Sequence, residues 1–512
     1  MVGGQATAWT SKDSHDGCRF DLIVVGGGSA GLPAAIFAAR RGARVLLVDH
    51  ADKLGGTLWV AHGQMSAAGT RLQAERGISD SADLHLEDVM RISRGTANAG
   101  LVRLAVDHAA ATFDWLMDEG FAPLPEHPVT GNAHEPYSRP RYYWGADGGL
   151  SVKNVLVPIV EELERQGRTD IRLKHEVTEL LTDNGGAVTG VVVRGPDDEL
   201  ERIEAQAVLL TCGGYAGDPE VFAARNGMQD YNAAPYSWCR GAGLRLGESV
   251  GGYSRGAENM FVNFGTLFNA DAFPAKAVGR IDHFPKRRPP FEIFVNANGC
   301  RFVREDLDSV DARERALFLQ PDRRYWIVFD QRILMEAPPI IVGWTRDQIV
   351  TAFERGGPAF SSADSLDELA RRAGIDPAGL QNTVEGYNYG VMTGNDFLGR
   401  EHHPLSIGQG PFYAIRMQGS MTSSTVGLAV DDGLRVIRRD GSPIQNLYAA
   451  GEILGASQTM GQAACGGMMV TPALAFGRLL GMAAIPLDLP SNTSQEATST
   501  ISGDEPARSI KC

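Results

Sequence analysis

Residues 26–31 read Gly-Gly-Gly-Ser-Ala-Gly and satisfy the spacing GxGxxG through Gly26, Gly28 and Gly31. Asp49 follows 23 residues after Gly26. These residue types at this spacing suit the pyrophosphate and ribose of a dinucleotide. Gly26 permits a sharp turn, Gly28 lets main chain approach a phosphate, and Gly31 lets a helix lie tightly on a strand. The free N–H groups around Ser29 and Ala30, where that helix begins, favour an anion. A carboxylate at Asp49, beside His50, can accept from both ribose hydroxyls. Small residues recur downstream at Gly56, Thr57 and Gly63, in the cluster around Gly213, and at the pair Gly451-Glu452. They extend the line of close approaches far enough for FAD.

A second group of residues can move protons or hold a carbonyl. Residues 134–144 read HEPYSRPRYYW and are dense in cations and aromatics. Arg139 and Arg141 are candidates for gripping a carboxylate. Tyr142 and Tyr143 are candidate acid/base groups if a neighbouring cation lowers a phenol pKa. The same run also fits an aromatic loop buried against a helix. Gln462 and the amides of Gly466 and Gly467 are candidate donors to a carbonyl oxygen. No cluster has metal-ligand spacing, so no metal site is expected.

The elements needed to position these residues are legible. Residues 20–25 are a continuous apolar run, as in a strand covered on both faces. An Ala-rich helix follows the glycine turn and ends at Gly42, and residues 43–49 form a second strand. This is a βαβ unit. Residues 80–125 read as mainly helical and 151–165 as a further helix. A hairpin turns at residues 184–186, and residues 207–215 run from a strand into a glycine turn. From 234 to 355 short strands mix with aromatics and prolines, which reads as an inserted capping domain. Ser365 and Glu368 predict a capping box. A last buried strand precedes Glu452, and a final helix carries Pro472 in its first turn. The expected fold is α/β: a Rossmann-type FAD-binding domain, a βαβ unit with additional β-sheet, plus an inserted α+β capping domain. The expected boundaries are tails at 1–19 and 487–512, FAD-binding parts at 20–233 and 356–486, and the cap at 234–355.

The chain has 512 residues, of which 43% are hydrophobic, enough for a large core. Its formal net charge is −14, which argues against nucleic-acid or anionic-membrane partners. The six cysteines form no CxxC pair, so haem and iron–sulfur ligands are not expected. Scattered thiols, no apolar leader and no long apolar run point to a cytoplasmic protein free of membranes.

The order of motifs VVGGGSAG, LGGT, GQMSAAG, LLTCGGY, VNANGCRFVRED, PIQNLYAAGE and TPALAFGR resembles the flavoprotein family of soluble fumarate reductases, succinate dehydrogenase flavoprotein subunits and 3-ketosteroid Δ1-dehydrogenases. The resemblance covers about residues 20–484. It implies that Glu452 meets FAD hydroxyls, that the main chain of Met469 and Val470 faces the flavin, and that Val177 meets the adenine. The position of the family's covalent histidine falls near Thr57, and His62 is displaced from it, so the resemblance implies FAD held non-covalently. The resemblance also implies that Arg313, followed by Glu314, is the proton donor. It aligns Arg288 with a relay arginine but puts Pro285 where the relay glutamate belongs. Ser423 and Ala464 stand where a fumarate-binding histidine and arginine belong, and the ketone-polarising tyrosine is absent near Ala463.

The expected function is therefore FAD-dependent α,β-dehydrogenation of a ketone, such as an oxocyclohexane carboxylate or a 3-ketosteroid-like substrate, with hydride passing to flavin N5. The alternatives are an enoate reductase of the fumarate reductase kind and a non-catalytic flavoprotein. The partners are a small-molecule substrate and an electron carrier whose identity stays open.

Overall fold

The computed structural model describes residues 20–131, 134–227, 236–270, 275–421 and 423–485. The two expected tails lie outside the described residues.

Strand β1 (Phe20–Val25), helix α1 (Gly31–Arg40) and strand β2 (Val45–Asp49) form the βαβ unit. Leu22, Ile23 and Val24 are fully buried because both faces of β1 are covered. Helix α2 (Ala99–Asp118) and helix α3 (Gly149–Arg165) follow, then strands β3 (Thr169–Leu173), β4 (Glu176–Thr182), β5 (Val188–Arg194) and β6 (Leu200–Leu210). Strands β1, β2, β3 and β6 are parallel neighbours, in register Leu22↔Val45 and Ile23↔Val208. The β4–β5 hairpin extends from β6.

The second sheet is antiparallel. It contains β7 (Asn263–Phe268), β8 (Ala277–Arg280), β9 (Ile293–Val295), β10 (Arg324–Asp330), β11 (Phe360–Ala363) and β12 (Phe412–Ser420). Helix α4 (Val310–Phe318) packs against it, its first turn capped by Ser309. This corrects both expected cap boundaries. Residues 242–255 stay with the first unit, because the helix Ala242–Ser249 contacts β4 and Ser254–Arg255 pairs with Gly427–Leu428. At the other end β11 and β12 belong to the antiparallel sheet, so the chain returns only after Ser420. Composition could not show this, because strand pairing rather than residue type sets the boundary. Ser365 caps its helix as expected, but the Glu368 carboxylate pairs with Arg372 and does not close a capping box.

The chain then adds β13 (Arg435–Ile437) and β14 (Pro443–Ala449), the latter parallel to β6, and ends in helix α5 (Val470–Ala483). The first sheet thus runs β13-β14-β6-β1-β2-β3. Helix α5 lies directly on α1: a Cβ on Gly477 would stand 2.0 Å from the Ala30 carbonyl oxygen. The carboxyl ends of β1, β2, β6 and β14 open on one edge, the usual place for a ligand in such a sheet. Among the described residues no helix is long and apolar enough to cross a membrane.

Candidate active site

The carboxyl edge of the parallel sheet holds a cleft lined by Gly26, Gly28, Ser29, Ala30, Asp49, His50, Gly56, Thr57, Val177, Gly213 and Glu452. These sites, scattered in sequence, come together because β1, β2, β6 and β14 end at one level. Gly28 faces Gly56 across it. A Cβ on Gly28 would meet only the Gly56 Cα, at 3.8 Å, so the floor is bare main chain. Gly26 has φ +105°, and a Cβ there would strike Cys212 Cα at 2.6 Å. The turn therefore needs glycine for shape at Gly26 and for access at Gly28.

Asp49 is held ready by two main-chain donors. Gly27 N–H donates to Oδ2 at 2.7 Å and Ala51 N–H to Oδ1 at 2.8 Å. Each oxygen keeps a lone pair for a sugar hydroxyl. Burial raises the Asp49 pKa, partly offset by those two bonds. Burial likewise raises Glu452, which accepts from Ser424 N–H at 2.9 Å. These residues fit FAD: an open glycine floor for a diphosphate, and a fixed carboxylate on either side for hydroxyls. The start of α5 lies against the strand Met65–Ser66, where Ser66 N–H donates to Thr471 Oγ1 at 2.8 Å. Met469 and Val470 sit half-buried at that start, where a helix leaves N–H groups without intrahelical partners.

Several lining residues carry no sequence signal. His175, Tyr236, Trp238, Arg240 and Arg245 line the cleft, and Trp238 meets the His50 ring edge-on at 4.8 Å. They lie in the stretch assigned from sequence to the cap or at a strand end, where no periodicity marks them. Gly63 is fixed by packing. Its φ of +64° and a Cβ position 2.5 Å from the Gly148 carbonyl carbon require glycine there. His62 is exposed.

The proton-transfer candidates separate sharply. Arg141 is fully buried and committed. It donates to Asp80 at 2.7 and 2.9 Å, to Asp88 at 2.6 Å and to the Leu84 carbonyl at 3.1 Å. It has no face left for a substrate carboxylate, which corrects the expected grip. Tyr143 is buried with its hydroxyl 2.9 Å from Thr70 Oγ1, its ring 4.1 Å from that of Phe113. Burial raises the phenol pKa of both Tyr142 and Tyr143, and beside Tyr143 it outweighs the lowering by the Arg141 cation. Tyr142 is half-buried, and a Cβ on Gly466 would stand 2.8 Å from its ring. Arg139 is exposed. Within the run 134–144, Tyr137, Arg141 and Tyr143 are buried, while Pro136, Ser138 and Arg139 are exposed.

Arg313 behaves differently. It is fully buried on α4, and Nε, Nη1 and Nη2 all lack a hydrogen-bond partner. Its guanidinium lies 5.7 Å from the Phe264 ring centroid. The Tyr325 hydroxyl, stacked on Phe264 through its ring at 4.6 Å, and His283 Nδ1 are buried and unpartnered as well. Each such group costs about 1–3 kcal/mol when left unsatisfied. Their concentration marks a polar space that a ligand or water completes. Burial lowers Arg313 to about 10 and His283 to about 3. Arg313 stays a cation at neutral pH and His283 stays neutral. Arg288 is engaged elsewhere: it grips Glu292 at 2.5 and 3.0 Å and the Pro338 carbonyl at 2.8 and 3.0 Å.

Comparison with known proteins agrees with this geometry. An FAD binding domain family model matches residues 21–469. The probable fumarate reductase Ifc3 of Shewanella frigidimarina is 28% identical over 467 residues, covering 90% of this chain and 74% of the relative. The 4-oxocyclohexanecarboxylate 2-dehydrogenase of Sinomonas cyclohexanicum is 26% identical, covering 90% of this chain and 92% of the relative. The open conformation of a flavocytochrome c3 fumarate reductase superposes with a TM-score of 0.65 at 27% identity, covering 91% of this chain and 78% of that one. With the glycine floor, the paired carboxylates and the second sheet in place, the chain belongs to the FAD-binding flavoprotein family of the fumarate reductases and related dehydrogenases, and it is an FAD-dependent oxidoreductase acting on CH–CH groups.

Proposed function

We propose that the chain interconverts a saturated carbon pair and an alkene beside a carbonyl, in the first place desaturating a ketone such as an oxocyclohexane carboxylate or a 3-ketosteroid-like compound. FAD, held non-covalently, supplies the two-electron hydride chemistry. The remaining work belongs to the chain. As the cation, Arg313 donates a proton to the substrate α-carbon when the alkene is reduced, and in its neutral form it takes that proton when the ketone is desaturated. The walls around Phe264 and Tyr325 exclude water. The observation that carries the reading is the fully buried guanidinium without a hydrogen-bond partner. A C4 dicarboxylate is disfavoured, because Ser423 and Ala464 offer no charged clamp.

Reduction of an enoate is the second reading. It is favoured by the same residue, since Arg313 is protonated at neutral pH and ready to donate. Anaerobic mixing of the purified holoprotein with 4-oxocyclohexanecarboxylate and a 3-ketosteroid tests the first reading, which expects the flavin's visible absorbance to bleach. Reoxidation of pre-reduced flavin by fumarate, acrylate or urocanate, with no bleaching by ketones, would replace it with the second. Silence toward every compound sinks both.

A further inference from the structure

An arginine that donates a proton from a buried position must regain one, and here the residues expected to return it are lost. Pro285 has no proton to carry, and Arg288 is held by Glu292 and the Pro338 carbonyl. We propose that His134, Asp311 and Glu314 form the proton route between solvent and Arg313. The inference rests on the role given to Arg313 above.

The geometry runs from outside to inside. The His134 side chain is 30% exposed, while those of Asp311 and Glu314 are 1% and 4% exposed. His134 Nδ1 lies 3.1 Å from Asp311 Oδ1 and 3.9 Å from Glu314 Oε2. Asp311, Arg313 and Glu314 stand on one turn of α4. Asp311 is fixed by Glu135 N–H, which donates to Oδ2 at 2.5 Å. Glu314 Oε1 accepts weakly from Phe264 N–H at 3.4 Å, so Glu314 and Arg313 flank the same phenylalanine. Glu314 Oε2 is buried and has no hydrogen-bond partner. A carboxylate oxygen left bare beside an imidazole, on the helix that carries the proton donor, is placed to pass a proton on. Other ionisable groups acting on this trio are Arg280 on β8, His283 after it, Cys465, and Arg313 itself.

The steps balance without any further reactant. In the alkene-reducing direction an Arg313 N–H bond breaks as the substrate α C–H bond forms. Neutral Arg313 takes a proton from a water molecule between the two side chains, which are not in direct contact, and that water takes the proton of the Glu314 carboxyl group. The Glu314 carboxylate then takes the Nδ1 proton of the His134 imidazolium, and water returns a proton to the imidazole. Desaturation runs the same steps backwards, and no electrons travel along the route. Proton affinities suit the task. Burial pushes Glu314 up to about 7. Burial alone would lower His134, but Glu314 and Asp311 outweigh it and hold the ring at about 9. Glu314 exchanges its proton near neutrality and His134 about two pH units above it, close enough for transfer between them.

Two measurements test the route on the flavin-loaded protein. His134→Gln and Glu314→Gln keep hydrogen-bonding capacity but cannot relay a proton. With whichever ketone or enoate the wild type turns over, kcat should fall on the order of a hundredfold with KM within about twofold. Imidazole in the buffer should restore much of the rate to His134→Gly. Wild-type kcat in both glutamine variants, or a change confined to KM with no imidazole rescue, overturns the route. The second measurement needs no substrate. Histidine-labelled NMR of the holoprotein should show the His134 ring titrating near pH 9, and in Glu314→Gln moving down toward the ordinary value of about 6.5. An unmoved ring overturns the proposal, as does a divalent metal ion found bound by the three residues. If the wild type turns over none of the compounds, the functional reading fails, and the NMR titration alone decides whether the trio shares a proton.

Discussion

Two arginines, Arg141 and Arg313, are each fully buried, and their neighbours give them opposite roles. Arg141 is surrounded by the carboxylates of Asp80 and Asp88, whereas Arg313 has no hydrogen-bond acceptor. Arg141→Leu should therefore destabilise by about 3–5 kcal/mol, because the buried Asp80 carboxylate loses its cation and Asp88 keeps only Arg91. Arg313→Gln should leave the melting temperature nearly unchanged and lower kcat by about 10²–10⁴. Melting curves beside turnover numbers check the pair; a reversed pattern would refute the assignment. Buried histidines set the acid limb of stability. Burial holds His85 and His283 at about 3, below their ordinary value. Their contribution is complete above about pH 6.5 and is lost as pH falls toward 3, each by up to about 1.4 kcal/mol per pH unit. His134 has the opposite sign: its contribution is present below about pH 6.5 and is lost as pH rises through 9. His85→Leu should flatten the fall in melting temperature between about pH 7 and about pH 5. An unchanged slope would show that His85 is not held neutral.

At the scale of elements, the join between β1 and α1 separates stability from ligand access. A Cβ on Gly31 would stand 1.9 Å from the Gly26 carbonyl oxygen and 2.8 Å from Thr211 Oγ1. Both neighbours are fixed, so Gly31→Ala should push helix from strand and cost about 1–3 kcal/mol. Gly28→Ala meets no such obstacle. It should melt like the wild type yet bind FAD poorly, because its methyl group occupies the space of the phosphate approach. Circular dichroism melts and flavin content after purification distinguish the two. Equal loss of both properties in Gly28→Ala would argue against a phosphate at this turn.

For the molecule as a whole, the cleft ties together segments far apart in sequence: residues 26–30, 49–57, 175–177, 211–213, 236–246 and 451–452. Unfolding destroys it completely, so FAD stabilises only the folded chain. Apoprotein reconstituted with rising FAD should gain melting temperature continuously, by a free energy of about 4 kcal/mol once FAD reaches about a thousand times its Kd. A melting temperature indifferent to FAD would place the cofactor outside the cleft.

Local rules were enough to read the glycine turn, Asp49, the strand before Glu452 and the α/β class, because turn shape, buried-strand composition and the approach of main chain to a phosphate are short-range properties. They were not enough for the cap boundaries, which depend on β12 crossing back to pair with β10. Nor did they separate Arg141 from Arg313, since both are arginines among aromatics and acids. The partners that decide are Asp80 and Asp88 for one and Phe264 and Tyr325 for the other. His134 and Glu314 are 180 residues apart and show no motif. Only folding brings that ring and that carboxylate together in a space dry enough for a proton to be shared.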